Sequence, residues 1–366
     1  MKILQVLPAL EGGGVETGTL ELARYLVDQG HESWVVSAGG AMKKRLLAEG
    51  SFHQDWDLGK KSVMTLRHVF AVRRWLREQA FDIVHLRSRM PAWIVWLAWR
   101  GLPKQGRPRL ITTVHGLYSV NRYSKIMCSG ERVIVVSDAA HRYVMQNYPD
   151  VDAARLVTIP RGIDPEWYYP GYRPSEEWRG TFAAAFPKCQ GKTLLVLPGR
   201  LTRLKGQAVF IDLIDRLVYQ YDLPVHGLIV GGEDPKRVAY AQELYAAVES
   251  RQLADVITFT GARDDIRDIF AEADLVLSLS TQPESFGRTV LEALSLGRPV
   301  VGYDHGGVSD ILAELYPSGA VALNDFEGLV DTVRQQLADS SKPKPNSLFL
   351  RQRMLEQTLK TYQELL

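Results

Sequence analysis

The chain has 366 residues, of which 46% are hydrophobic and 23% charged, and its net charge is +2. This length favours two domains over one, and the composition is that of an ordinary globular protein. The two cysteines, Cys128 and Cys189, are far apart in sequence and give neither a disulfide framework nor the spacing of a zinc site. The N-terminal run is too short for the core of a signal peptide, and no apolar stretch reaches the ~18 residues of a membrane span. We therefore expect a protein of the reducing cytoplasm.

The first predicted elements are a strand, a glycine-rich loop, a helix and a second strand, at residues 3–7, 11–16, 17–29 and 34–37. This is the outline of a phosphate-binding unit. The dinucleotide fingerprint needs a third glycine where this chain has Thr17, so an NAD site is not predicted. We interpret the loop as a turn that faces a bound ligand, with a plain tight turn as the alternative.

Positive charge is concentrated between Lys60 and Arg109, where twelve Lys or Arg accompany two Asp or Glu. Such a region suggests an anionic partner. Within it, residues 62–79 predict a basic amphipathic helix and residues 91–101 a helix with three tryptophans. These rings are explained equally by core packing and by contact with an anionic membrane surface. Nucleic acid is not expected, because no RNA-binding or helix-turn-helix signature is present.

A histidine follows the predicted strand at residues 110–114. Because ligands bind at the carboxyl ends of parallel strands, His115 is a candidate for contact with a ligand. A strand at 132–136 and a helix at 138–148 come next, and a strand at 157–160 precedes Arg161. Residues 165–190 are rich in Pro, Gly, Tyr and Trp, which is typical of a connection between domains.

A second alternation begins with a strand at 193–198, and three cations lie in the loop that follows: Arg200, Arg203 and Lys205. Cations between a strand and a helix can neutralise a diphosphate without a metal, and a solvated surface is the alternative. Later strands are predicted at 225–230 and 256–260, and a loop containing Arg263 follows the latter.

The most informative stretch spans residues 283–310 and follows a buried strand at 273–280. Glu284 lies on a polar loop, and a helix predicted to begin near residues 286–287 carries Glu292, so that seven residues separate the two acids. The first amides of this helix have no partner within it and carry the positive end of its dipole, so they suit a phosphate. Two flanking carboxylates can accept hydrogen bonds from hydroxyl groups on either side. This layout fits a ligand of the form sugar–diphosphate–ribose.

The glycine loop, His115, the segment from Gly199 to Gly206 and the two acids occur in one order along nearly the whole chain. Together they resemble retaining glycosyltransferases of the GT-B fold, family 4. The resemblance implies an α/β protein with two Rossmann-like domains whose parallel sheets face a central cleft. It implies an acceptor domain at residues 1–168, a nucleotide-sugar domain at 169–345, and a C-terminal helix at 346–366 that packs back on the first domain.

The resemblance also implies residue roles. The expected catalytic residues orient the sugar or stabilise the leaving diphosphate: His115, Glu284, Arg200 and Lys205. The expected donor-binding residues contact phosphate, sugar, base or ribose: Gly13, Gly14, Arg263, Ser285, Phe286, Gly287, Arg288, Thr289 and Glu292. No metal or cofactor is expected. The motif at residues 55–57, Asp-Trp-Asp, lacks the strand–turn context of a metal-binding D-x-D.

The implied function is transfer of a sugar from a nucleotide-diphosphate sugar, with UDP or GDP favoured, to a glycan or glycolipid, with retention of configuration. Arg161 before Gly162 and the basic region at 60–109 favour bacterial lipopolysaccharide or related envelope polysaccharide synthesis at the inner face of the cytoplasmic membrane. Two alternatives stay open on the sequence. One is a GT-B sugar-nucleotide epimerase, and the other is a non-catalytic basic module that binds membrane or nucleic acid.

Overall fold

The computed structural model describes residues 1–60, 62–235, 237–339 and 341–366. These residues form two compact units, one of Met1–Pro160 with Gln352–Leu366 and one of Arg161–Arg351. The first unit therefore ends before residue 168, where the sequence places the boundary. The chain returns to the first unit after Arg351, whereas the sequence analysis places this return at residue 346.

In its described residues the first unit contains a seven-stranded sheet in the order β3-β2-β1-β4-β5-β6-β7. All neighbouring strands are parallel, as expected when helices connect successive strands. The strands are β1 (Lys2–Val6), β2 (Glu32–Ser37), β3 (Phe52–Asp55), β4 (Ile83–Leu86), β5 (Arg109–Val114), β6 (Arg132–Val135) and β7 (Leu156–Thr158). The helices are α1 (Gly14–Asp28), α2 (Lys43–Ala48), α3 (His68–Gln79), α4 (Arg89–Arg100), α5 (Arg122–Lys125) and α6 (Asp138–Asn147), with a 3₁₀ turn at Val63–Arg67 before α3.

The sequence analysis did not predict α2 and β3. Strand β3 is an edge strand with the sequence Phe-His-Gln-Asp, so it lacks the apolar run that marks a buried strand. At its end Asp55 pairs with Lys43 at 2.6 Å, and Asp57 pairs with Lys60 at 2.7 Å. Both carboxylates of the Asp-Trp-Asp motif thus have a lysine partner.

The described residues of the second unit contain a six-stranded parallel sheet in the order β10-β9-β8-β11-β12-β13. Its strands are β8 (Thr193–Pro198), β9 (Val225–Val230), β10 (Ile257–Gly261), β11 (Leu275–Ser278), β12 (Val300–Tyr303) and β13 (Ala320–Val321). Its helices are α7 (Glu176–Ala185), α8 (Gln207–Asp215), α9 (Val238–Ser250), α10 (Ile266–Glu272), α11 (Arg288–Ser295), α12 (Gly306–Leu315) and α13 (Phe326–Ala338). The prediction of two Rossmann-like domains with parallel sheets is confirmed.

The last helix, α14 (Arg351–Gln363), packs its apolar face into the core of the first unit. Leu355, Leu359 and Tyr362 join a cluster that includes residues of β1, β4, β5 and β6. The Tyr362 hydroxyl lies 2.6 Å from Nδ1 of His85, and Nε2 of His85 lies 2.6 Å from the hydroxyl of Thr113. Burial, with a smaller contribution from the charge of Arg87, holds the pKa of His85 well below its usual range. The imidazole is therefore neutral, and both of its nitrogens have a hydroxyl partner.

Replacing Tyr362 by Phe tests the contribution of this hydroxyl. The variant leaves a buried imidazole nitrogen without its partner, so we expect the first unit to lose about 1–3 kcal/mol of unfolding free energy. Urea unfolding followed by fluorescence measures the loss. The control is Tyr219→Phe in the second unit, which also removes a tyrosine hydrogen bond, to the Gln252 carbonyl at 3.0 Å, but at an exposed position. It should shift stability by less than about 0.5 kcal/mol. Equal stability of Tyr362→Phe and the control would contradict the role given to the hydroxyl.

Candidate active site

The candidate site of the second unit lies where β11 passes through a loop into α11. Helix α11 begins at Arg288, and Gly287 precedes it in the left-handed conformation with φ of 98°. A Cβ at Gly287 would come within 2.9 Å of the Val308 side chain, so glycine is required there on both grounds. Glu284 lies on the loop and Glu292 within the helix. Because this is the carboxyl edge of a parallel sheet, it is the edge at which such sheets bind ligands.

The start of α12 holds this loop in place. The Gly307 amide donates to the Glu284 carbonyl at 2.7 Å. A Cβ on Gly307 would lie 2.4 Å from the Cα of Phe286, and one on Gly306 would lie 2.6 Å from the Glu284 carbonyl oxygen. The ring of His305 lies 2.7 Å from the Ser280 carbonyl. Two adjacent glycines therefore allow α12 to approach the loop at backbone contact distance.

The loop that carries the cations lies against the same segment. A Cβ at Gly206 would meet the Leu279 carbonyl oxygen at 2.1 Å, and Gly206 has φ of 76°. The Thr281 amide donates to the Leu204 carbonyl at 2.8 Å. These contacts bring Lys205 to Glu284, with Nζ 2.7 Å from Oε1. The structure thus joins two motifs that are separated by about eighty residues of sequence.

Glu284 is held as a carboxylate. Its Oε1 accepts hydrogen bonds from Lys205 Nζ at 2.7 Å and from Ser280 Oγ at 2.6 Å. Burial raises the pKa of Glu284, but the charge and hydrogen bond of Lys205, the hydrogen bond of Ser280 and the charge of His305 together lower it below its ordinary value. At neutral pH the group is therefore ionised and can accept hydrogen bonds from hydroxyl groups.

Ser280 and His305 were not among the predicted site residues. Ser280 is buried just beyond β11, four residues before Glu284. His305 directly precedes the two glycines at the start of α12. A hydroxyl at a strand end and a His-Gly-Gly sequence after the next strand are the sequence signals that point to them.

The other two cations of the loop differ from each other. Arg203 pairs with Glu243 at 2.6 Å, so its charge is already compensated. Arg200 is exposed, and within the described parts of the chain its guanidinium has no hydrogen-bond or ion-pair partner. Lys205 uses one of its three donors, on Glu284, among the described residues. Arg200 and Lys205 thus retain donors for a phosphate.

Glu292 is almost fully buried within α11. Its Oε1 accepts from Arg288 Nε at 2.8 Å, an interaction one helical turn apart. Burial, followed by the charge of Glu292, raises the pKa of Tyr168, which places this tyrosine near the same carboxylate. Ser285 and Thr289 are half-buried around the start of the helix.

Two predicted donor-binding side chains are engaged in the protein itself. Arg263 donates to both oxygens of Asp265, at 2.8 and 2.5 Å, and Asp265 also accepts from the Trp178 indole at 2.7 Å. Phe286 is buried and packs on Phe349, with ring centroids 5.9 Å apart.

The remaining predicted residues belong to the first unit, at the carboxyl edge of its sheet. Gly13 precedes α1 with φ of 153°, and a Cβ there would lie 2.7 Å from the carboxylate of Glu16. Gly14 is the first residue of α1. His115 directly follows β5 and is half-buried. The first unit therefore places the glycine loop and the histidine at the ends of strands of one sheet.

Across the described ranges, His, Cys, Asp and Glu side chains form no group of three or more that could hold a metal ion. None of the helices in those ranges combines the length and apolar character needed to cross a membrane.

Comparison with known proteins yields glycosyltransferases in both halves of the chain. Residues 12–167 match the family described as Glycosyltransferase Family 4, and residues 180–349 match Glycosyl transferases group 1. The D-inositol 3-phosphate glycosyltransferase of Corynebacterium urealyticum is 26% identical over 72% of this chain, which spans 65% of that relative's length.

Two solved structures share the fold. A glycosyltransferase from Rickettsia africae has a TM-score of 0.83 and 25% identity, covering 99% of this chain and 98% of its own. HepE of Anabaena, in complex with UDP and glucose, has a TM-score of 0.81 and 20% identity over the full length of both chains. The matches favour an enzyme over a non-catalytic binding module.

Gly307→Ala tests whether close approach of α12 holds the Glu284 loop. The added Cβ meets backbone atoms of Phe286, so we expect a loss of about 1–3 kcal/mol in unfolding free energy and faster amide hydrogen exchange at residues 284–287. Gly180→Ala is the matched control, because this helical glycine has open space around its Cβ position. It should be neutral or stabilise by up to about 1 kcal/mol. Unchanged exchange in Gly307→Ala would refute the role of the contact.

Proposed function

We propose, from the premise that the chain belongs to glycosyltransferase family 4, that it moves a sugar from a nucleotide-diphosphate sugar to a glycan or glycolipid with retention of configuration. The observation that carries the proposal is the pairing of Lys205 with ionised Glu284 beside the start of α11. Arg200 adds a positive charge on the same loop as Lys205.

The chemistry follows from these charges. Departure of a nucleoside diphosphate builds negative charge on a phosphate oxygen. Lys205, Arg200 and the first amides of α11 supply positive charge and donors for it, and such preorganised electrostatic stabilisation is usually the largest contribution to catalysis. We assign this work to the protein's own cations and propose that no metal is required.

Glu284 is proposed to accept hydrogen bonds from the donor sugar, because its carboxylate is ionised and keeps lone pairs beyond those used by Lys205 and Ser280. Glu292 is proposed to bind the ribose and His115 to orient the sugar. We propose that the glycine loop, the loop of Arg263 and the start of α11 make further contacts with the nucleotide-sugar substrate. Retention is proposed to proceed on one face of the sugar, with the leaving phosphate accepting the proton of the acceptor hydroxyl.

The donor is proposed to carry UDP, with GDP as the other carrier favoured by the sequence. The UDP and glucose bound to HepE of Anabaena support UDP. The acceptor is proposed to belong to the bacterial cell envelope, on the basis of Arg161–Gly162 and the basic region. The Corynebacterium relative is named for inositol 3-phosphate, so this comparison does not favour lipopolysaccharide over other acceptors.

We propose that the basic region binds an anionic membrane surface through residues 64–77 and not through its tryptophans. The indoles of Trp93 and Trp99 donate to backbone carbonyls, at 3.0 and 2.7 Å, and Trp99 is buried. The exposed apolar side chains are instead Met64, Leu66 and Phe70, at 63, 45 and 74% exposure. Three exposed cations accompany them along the same segment: Arg67, Arg74 and Arg77. Apolar side chains among cations suit an interface of anionic lipid.

Donor binding is tested by a thermal-shift titration with UDP, GDP and ADP, each with and without EDTA. A nucleotide that binds the native state raises the melting temperature by mass action. We expect a shift with UDP that survives EDTA, and a dissociation constant raised about ten- to hundredfold in Lys205→Ala.

Glu284→Gln should keep nucleotide binding and lower sugar transfer by about 100-fold or more. Glu314→Gln, at an exposed acid of α12, is the control for both. A wild-type transfer rate in Glu284→Gln would contradict the assignment.

Membrane association is tested by co-sedimentation with vesicles of phosphatidylglycerol and phosphatidylcholine. The double variant Met64→Ser, Phe70→Ser should lower the bound fraction about tenfold, because it removes the exposed apolar contacts. Val120→Ser changes another exposed apolar residue of the first unit and should bind normally. Equal binding to vesicles of phosphatidylcholine alone, or by the double variant, would rule out this surface.

A further inference from the structure

The first unit contains an arginine at the carboxyl edge of its sheet that the proposed donor chemistry does not use. Arg89 is the first residue of α4, which follows β4, and Tyr118 lies beyond His115 in the segment that follows β5. Strands β4 and β5 are hydrogen-bonded neighbours in parallel register, with Leu86 opposite Thr112. Arg89 and His115 therefore follow adjacent strand ends of one sheet.

The guanidinium of Arg89 lies close to two aromatic rings. Its central carbon lies 4.4 Å from the ring centroid of Tyr118 and 5.4 Å from that of Tyr123. Its Nη1 donates to the hydroxyl of Ser124 at 3.1 Å. These contacts place the group against two tyrosine rings and use one of its five donors.

Arg89 has no acidic partner in the part of the chain that the structure describes. Two other arginines near it on the chain have different surroundings. Arg87 is buried and donates to the side chain of Gln5 at 2.8 Å, and Arg100 is exposed at the other end of α4, above the ring of Trp96. Burying part of a charged guanidinium that has unused donors and no counter-charge costs free energy. A bound anion offsets this cost by pairing with the charge and accepting hydrogen bonds from the donors.

The surrounding contacts fix the two rings. The Trp93 indole donates to the Tyr123 carbonyl at 3.0 Å, and the Tyr143 hydroxyl donates to the Tyr118 carbonyl. The side chain of Asn121 accepts from the Ser124 amide at 2.8 Å and so caps α5. Arg89 is thus preorganised by α4, α5 and α6, which lowers the entropy lost when a ligand binds.

From this geometry we infer that Arg89 binds an oxyanion, a phosphate or a carboxylate, carried by the acceptor. The inference rests on the proposed function, in which the cations of the second unit bind the diphosphate of the donor. An anion bound by the first unit would then belong to the other substrate, the acceptor. The planar fork of arginine matches two oxygens of either group. An anionic acceptor would therefore be held by charge beside the strand end that carries His115.

The test observes the arginine Nε–H signals of the wild-type protein by NMR during titration with inorganic phosphate, with malonate and with glycerol. The Arg89 signal is assigned by its loss in Arg89→Lys, and the Arg100 signal by its loss in Arg100→Gln. We expect a saturable shift of the Arg89 signal with phosphate, malonate or both, and none with glycerol. The anion that saturates at the lower concentration identifies the group on the acceptor.

Arg89→Lys keeps the charge but loses the fork, so the dissociation constant of the anion should rise about tenfold when measured by calorimetry in the Lys205→Ala background. Arg100→Gln should leave it unchanged. An Arg89 signal that does not move, or one that moves only in parallel with Arg100, would overturn the inference. The nucleotide titration tests the second unit and this one the first, so failure of the donor proposal and failure of the anion site give different results.

Discussion

The contact between Lys205 and Glu284 is the interaction on which the candidate site depends. It joins the loop after β8 to the loop after β11, and it keeps a lysine ammonium and an ionised carboxylate together in a partly buried place. Ser280 donates to the same oxygen, so the carboxylate has a fixed orientation. Without Lys205, burial would favour the protonated acid, which donates as well as accepts hydrogen bonds. The charge state of Glu284 is therefore a property of two loops together.

Close backbone contacts make that pairing available. Gly206 approaches the Leu279 carbonyl, and Gly306 and Gly307 approach the loop of Glu284 and Phe286, each at a distance that excludes a Cβ. These glycines lie in the connections that follow β8 and β12, the two strands that flank β11. Their absence of a side chain allows three segments to pack against one another through backbone atoms. The polar side chains are then left to face the ligand-binding edge.

The first unit follows the same plan with a different emphasis. Its sheet presents the glycine loop, Arg89 and His115 at one edge, while its core is completed by the C-terminal helix α14. The neutral His85, held between Tyr362 and Thr113, links that helix to the central strands. A segment that comes last in the chain thus stabilises the unit that comes first. The exposed apolar and basic side chains of residues 64–77 lie outside this core.

The sequence alone determined the alternation of strands and helices, the two-domain organisation and the residues of the signature, because apolar periodicity and glycine positions are local features. It missed α2, β3, α10 and α12, which are short or lack a clear apolar run, and it gave no acidic partner for Arg203. Tertiary structure decided those points. It paired Arg203 with Glu243 and Arg263 with Asp265, brought Ser280 and His305 to the loop of Glu284, and placed Arg89 beside two tyrosines. Whether a charge is compensated depends on which segments meet in space, and that is set by packing between residues far apart in the chain.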